Sequence, residues 1–307
     1  MQVTQMMPET LLVSNLNSLM TSIMQGEQQV ATGNALQVPS ENPVATAEDL
    51  NLTTAQSWNA QWTKNAQMAS GYMSTGSQAL TQLGQVLQSA ASIASAASSA
   101  TENPTDMQAQ ATQVGQLVRQ AESLANTQFD GQYVFGGVGG QAPWNTSSGA
   151  WNLTAATAPV QFEIGSGVSV QGGIDGYALF QGPVGGGTTT GILGQNGATT
   201  PGILNKLQQD LQSGNQTAVG ADLKAVQNAI SYVSAQQAQI GAGMQRVQAA
   251  TSTLGQVAVQ LSQDIAQVAS TNMPSAIAQL TNQESVFQSA LDIGAKMLMP
   301  TLATLMG

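Results

Sequence analysis

Two carboxylates, Glu163 and Asp175, stand twelve residues apart in the Gly-rich middle of the chain. Paired carboxylates are an arrangement that can carry out acid–base hydrolysis. Nothing around these two marks them as a pair, and isolated acids at this separation read as surface groups. Gly137-x-Gly139-x-x-Ala142 follows a strand-like run and has the form of a dinucleotide-binding turn. That turn must open a helix inside a βαβ unit, and here Pro143 blocks the helix. The chain has no His and no Cys. Imidazole and thiol nucleophiles, disulfides and nearly every zinc or iron site are thereby removed. There is no Gly-Lys-Ser/Thr phosphate loop, and no lysine is singled out as the partner of a nucleophilic serine. Asn145 and Asn152 begin Asn-x-Ser/Thr triplets, which matter only in a eukaryotic secretory setting. Neither an enzyme nor a cofactor or metal is expected.

The charge points the same way. The chain holds 6 basic and 16 acidic residues, for a net charge of −10. Scattered cations (Lys64, Arg119, Lys206, Lys224, Arg246, Lys296) cannot track a phosphate backbone, so no nucleic acid is expected. The uncharged stretches are rich in Gln, Ser and Asn, so no membrane insertion is expected. "MQVTQMMPETLLVSNLNSLM" has no basic n-region and no continuous apolar run, and is not expected to be a cleaved secretory signal.

What remains is architecture. Of the 32 glycines, 18 fall between Gly131 and Gly197, together with most of the aromatics. Runs such as "APVQFEIGSGVSVQGG" place β-formers between turn residues, so this stretch is expected to be strand and turn. The flanks are rich in Ala, Gln, Leu, Met and Ser and are expected to be helical.

Their periodicity is unusually regular. From Leu223 a 3-4 spacing runs through Val226, Ile230, Val233, Gln237, Ile240, Met244, Val247, Thr251, Leu254, Ala258, Leu261, Ile265 and Val268. A seam this long predicts a coiled-coil helix of about 70 Å. Pro274 is expected to put Met273 outside the helix and start another. The N-terminal half has a matching row from Trp58 and Trp62 through Tyr72, Leu83 and Ile93 to Ala100. Asn103-Pro104 reads as a helix cap and first position, opening a third helix through Met107, Val114 and Ala125.

Both ends carry amphipathic stripes: Leu12, Leu16, Leu19, Ile23 and Val30 in front, Ile277, Leu280, Phe287, Leu291, Leu298 and Leu305 behind. Each is too short to be stable alone, so the two need each other or further copies. Between the first stripe and the long helix lies an elbow, "TGNALQVPSENPVATA". Thr32-Gly33 reads as a helix stop, with Gly33 in the left-handed position. Pro39, Ser40 and Pro43 are expected to hold an extended connector, with Asn42-Pro43 as cap and first position of the next helix. Glu48 and Asp49 are expected near that helix's positive end.

The elbow resembles the N-terminal signature of the flagellin superfamily. Its prolines around Ser40-Glu41-Asn42 are more similar to the superfamily's hook-filament junction proteins than to its filament subunit. "GQYVFGG" (131–137), "IGAGMQRVQ" (240–248) and the closing "QSALDIGAKMLMPTLATLMG" resemble three further motifs in the same order. The basic residues common after the Thr-Gly pair are here Asn34 and Ala35.

The resemblance implies a mainly α fold with a β-rich insertion. Long antiparallel coiled-coil rods are formed by the N- and C-terminal segments, with a Gly-rich β domain between them. The expected division is a terminal assembly domain (1–40 and 275–307), a rod domain (41–137 and 201–274) and a β-rich outer domain (138–200). That outer domain is expected to have a small core of its own from Phe162, Tyr177 and Phe180, and to be removable. The resemblance further implies an extracellular structural subunit of the bacterial flagellum, exported by the type III route with a flagellar export chaperone. It would assemble as a homo-oligomeric ring at the hook-filament junction, between hook-associated protein 1 and flagellin. Its assembly interface would use Leu12, Leu16, Leu19, Ile23, Phe287, Leu291, Leu298 and Leu305, with Thr32, Gly33, Pro39, Ser40, Asn42 and Pro43 as the interhelical elbow. The alternatives are flagellin itself, or an extracellular glycan-binding module on a coiled-coil stalk.

Overall fold

The structure is a computed structural model that describes residues 3–40, 42–99, 103–147, 150–153, 158–182, 191–194 and 201–305, with side chains from residue 10 to residue 295 among them. It is mainly α, with short antiparallel strand pairs in the middle of the chain. The elements are α1 (Val3–Thr32), α2 (Pro43–Ala97), α3 (Pro104–Ala125), β1 (Gln128–Phe129), β2 (Gln132–Tyr133), β3 (Trp144–Asn145), β4 (Ala150–Trp151), β5 (Gln161–Gly165), β6 (Val168–Gln171), α4 (Gly176–Phe180), α5 (Ile203–Gln212), α6 (Gln216–Ala269) and α7 (Met273–Leu305). They form two compact units, Asn59–Gln256 and the two ends, Met1–Trp58 with Val257–Gly307.

In the central unit α2 and α6 run antiparallel. Gln216 Nε2 donates to the Ser99 carbonyl at 3.3 Å and Gln237 Nε2 to Thr81 Oγ1 at 3.0 Å. Further along, a Cβ at Gly243 would stand 3.2 Å from Met73 Cε. Every position of the 3-4 row from Leu223 to Val268 is buried or half-buried. On α2 the buried stripe is wider than one seam: Ala69, Leu83 and Ala90 are buried, and so is the adjacent heptad row Ala66, Met73, Leu80, Leu87 and Ala94. A helix that joins a core with α3, α5 and α6 needs two rows, whereas a two-helix rod needs one. The stripe begins at Asn59, and Trp58, expected on the seam, is 54% exposed. Asn103 caps α3 as expected, its side chain accepting from the Thr105 N–H at 3.2 Å.

The Gly-rich segment does not have a core of its own. Phe180 is fully buried, stacked on Trp151 at 5.7 Å and edge-on to Phe135 at 5.4 Å. Phe162 meets Tyr72 of α2 at 5.6 Å, and the Tyr72 hydroxyl donates to the Val134 carbonyl at 2.9 Å. Burial pushes the Tyr72 phenol up to about 12. Tyr177 is only half-buried. The segment's strands are too few and too short to close a core, so its apolar groups join the helical one. The described part of this segment lies within one compact unit with the helices.

The Gly137-x-Gly139 run is a short 3₁₀ turn after an antiparallel hairpin, so no dinucleotide-binding unit surrounds it. Asp175 caps α4, accepting from the Tyr177 N–H at 2.9 Å, and Glu163 lies exposed on β5. Two separate local roles replace the carboxylate pair.

An ion-pair cluster with one buried member, Asp222, closes the α5–α6 turn. Lys206 Nζ lies 2.6 Å from both Asp210 Oδ2 and Asp222 Oδ1, and the Asp222 side chain is 5% exposed. Burial pushes the Asp222 carboxyl up to about 6, against the opposing pull of Lys206. A carboxyl raised in the folded state binds its proton more tightly there than in the unfolded chain. Its stabilisation is thus full below the unfolded value and lost as pH rises through about 6. Acidifying from pH about 7 to about 4 should add on the order of 2 kcal/mol from this group. In Asp222→Asn, thermal melts across that window should lose this rise, and an unchanged slope would refute the assignment.

Candidate assembly interface

In the terminal unit α1 and α7 lie antiparallel. A Cβ at Gly26 would stand 3.2 Å from Leu280 Cδ1, and one at Gly294 would stand 3.1 Å from Leu12 Cδ2. The facing row of α1 holds Leu12, Leu16, Leu19, Ile23, Gly26 and Val30, none of them fully exposed. On α7 the covered row is Ala276, Leu280, Gln283, Phe287, Ala290 and Gly294, again at 3-4 spacing. Five residues expected at an assembly interface, Leu12, Leu16, Leu19, Ile23 and Phe287, lie on this intrachain seam.

Leu291 belongs to the next row. It is 47% exposed, as is Ile277, while on α1 Val13, Met20 and Met24 are 57%, 54% and 59% exposed. Each helix thus covers one apolar row and leaves other apolar residues exposed, those of α7 interspersed with Thr281, Glu284 and Gln288. Leu298 and Leu305 continue the Leu291 row by heptads, but their side chains lie outside the described residues.

The elbow is built from short-range bonds. Gly33 has φ +69°, and its N–H donates to the Gln29 carbonyl at 2.9 Å, which ends α1. Thr32 Oγ1 donates to the Gln28 carbonyl at 2.7 Å and accepts from Gln37 Nε2 at 2.7 Å. Gln37 Nε2 also donates to the Asn34 carbonyl at 2.8 Å, and the Leu36 N–H donates to Asn34 Oδ1 at 2.9 Å. Pro39 and Ser40 form a turn, so the connector is folded where it was expected to be extended. Asn42 caps α2, its Oδ1 accepting from the Ala45 N–H at 3.1 Å, with Pro43 at the first position. Glu48 and Asp49 fall beyond the first turn of α2, past the free N–H groups.

Sequence reasoning missed what the elbow touches. Asn34 pairs with Ser270 in an antiparallel bridge. The Ala35 N–H donates to the Ala269 carbonyl at 2.7 Å and the Thr271 N–H to the Gly33 carbonyl at 2.9 Å. The two helix breaks are thereby one joint. The second break lies at 270–272, because Asn272 caps α7: its Oδ1 accepts from the Ser275 N–H at 3.2 Å. Met273 is thus the first helical residue, a correction to the expectation that Pro274 would exclude it. Proline is tolerated in a first turn, where its missing N–H has no partner to lose.

Among the described residues, no group of three or more His, Cys, Asp or Glu could hold a metal ion, and no helix is long and apolar enough to cross a membrane.

The helix–elbow–helix pattern has counterparts. The bacterial flagellin N-terminal helical region matches residues 3–139, which take in α1, the elbow, α2 and α3. Flagellar hook-associated protein 3 of Escherichia coli (strain K12) is 31% identical over 150 residues, 48% of this chain and 47% of that protein. Over residues 3–139 the chain is similar to the flagellins, and over 150 residues to this hook-associated protein. Its match spans about half the length of the curated relative. Solved structures share the fold of this chain. A flagellar hook-associated protein from Vibrio parahaemolyticus is 19% identical with TM-score 0.62, over 75% of this chain and 100% of that one. The flagellar junction protein FlgL from Legionella pneumophila is 14% identical with TM-score 0.54, over 73% of this chain and 100% of that one.

Proposed function

We propose that this chain is a non-enzymatic structural subunit of the bacterial flagellum that joins hook to filament, assembling through the exposed apolar residues of α1 and α7. The observation that carries this reading is the terminal pair, which leaves Val13, Met20, Met24, Ile277 and Leu291 exposed at regular helical positions. Apolar residues left exposed on a paired helix mark a surface for further helices. The names of the relatives, hook-associated and junction protein, support the location. On this reading residues 1–40 and 275–307 assemble, 41–137 and 201–274 form the rod, and 138–200 form the outer surface. The partners are further copies in a ring, hook-associated protein 1, flagellin and, before type III export, a flagellar chaperone. The finished site is extracellular.

Flagellin itself is the second reading, favoured by the same N-terminal match. The glycan-binding reading is the less favoured alternative: Phe135, Trp151 and Phe180 are buried, and Trp144, Phe162 and Tyr177 are the partly exposed aromatics it would have to use. A strain lacking the protein should carry hooks without filaments and shed flagellin into the medium. Normal filaments on that strain would overturn the proposal, and absence of flagellin from both filament and medium would favour the second reading.

A further inference from the structure

The seam between α1 and α7 has two close fits, Leu280 on Gly26 and Leu12 on Gly294, and is polar at its joint end. Near the joint Ser22, Gln25 and Gln29 face Gln279 and Gln283 around a gap of ≈ 170 Å³. Further along, Leu16 and Val286 line a wider gap of ≈ 360 Å³. A slip of one heptad would keep the same row facing α1 and exchange Leu280 for Phe287 beside Gly26. Such a slip would disturb the fit at Gly26 but would leave an apolar row on an apolar row, so a further device beside the seam would sharpen the register.

The joint can specify it. Its two backbone hydrogen bonds, Ala35 to Ala269 and Thr271 to Gly33, form only when these residues lie opposite one another. Gln37 braces the turn from within, holding Thr32 Oγ1 at 2.7 Å and the Asn34 carbonyl at 2.8 Å. α1 ends and α7 begins within three residues of the bridge, so a bridge fixed in one register fixes both helices.

We infer that the joint sets the register of α1 against α7 and that Gln37 is its positioning residue. Its consequence for assembly rests on the proposed function: register decides which level of α7 each open residue of α1 is presented beside. The structural part stands apart from that reading and is tested on the free chain.

The chain has no cysteine, so introduced pairs report register without background. Gly26→Cys with Leu280→Cys reads the native register. Gly26→Cys with Phe287→Cys reads a heptad slip, about 10 Å along the helix and beyond the span of a disulfide. The product is an intramolecular disulfide at monomer mass, so it is read whether or not copies associate. With the joint intact, the 26–280 disulfide should form and the 26–287 disulfide should not. Gln37→Ala, and separately Ala35→Pro, which removes one bridging N–H, should each lose most of the 26–280 product and gain the 26–287 product. Full 26–280 yield in both backgrounds would overturn the inference. Loss of both disulfides would overturn it too, since the joint would then hold the pairing and not its register.

Discussion

Leu291→Asp is expected to leave both compact units folded and to abolish incorporation at the hook tip. Leu291 is 47% exposed in the single chain and lies off the row that faces α1, so the change removes no intrachain packing of consequence. In an assembly through the exposed apolar residues, each copy would bring an unpaired carboxylate into an apolar contact, at a cost on the order of several kcal/mol per site. Every copy carries the same lesion, so the losses multiply around a closed ring. The free protein should show unchanged helix content and melting, and flagellin should be lost to the medium. Ser289→Asp, nearly opposite on α7 and exposed, is the control and should assemble. A Leu291→Asp protein that melts early would mean that Leu291 belongs to the intrachain core. Normal filaments on that strain would mean that its row is not an assembly surface.

The second large effect belongs to Phe180. It is fully buried between Trp151 and Phe135, and its truncation to alanine removes both ring contacts at once. The loss should be about 3–5 kcal/mol. For a unit of this size that lowers the melting temperature by roughly 10 °C. Far-UV circular dichroism, which reads the helices, should report the shift together with the aromatic near-UV signal. This concerted loss separates the shared core from an autonomous insertion, whose damage would leave the helical melt unmoved. Deleting residues 138–200 should therefore destabilise the central helices and expose Phe135.

These two sites show which parts of the molecule could be read from the chain alone. The α6 row was legible because heptad periodicity is a property of consecutive residues, and every position from Leu223 to Val268 is at least half-buried. The caps at Asn42-Pro43 and Asn103-Pro104 were legible for the same reason: donor and acceptor lie within three residues of one another. Leu12, Leu16, Leu19, Ile23 and Phe287 were expected at an assembly interface and lie on the intrachain seam, because a stripe does not say whether it faces its own chain or another copy. The elbow side of the joint was legible at Thr32-Gly33, but its pairing with 269–271 was not, since the bridge is made of backbone groups that any residue carries. The only trace of that pairing was positional, in two helix breaks at corresponding levels of two regular helices. The shared core was hidden for a different reason: Gly and aromatic clustering marks strand and turn, but does not say against what the aromatics pack.

The central claim, a subunit of the hook-filament joint, is tested most directly by where the protein sits on an intact flagellum. A label at an exposed position of the Gly-rich segment, such as Ser169→Cys in this cysteine-free chain, can be read on flagella still attached to cells. The account predicts a single short focus where each hook meets its filament. Label distributed along the whole filament, or absent from the flagellum, would contradict it.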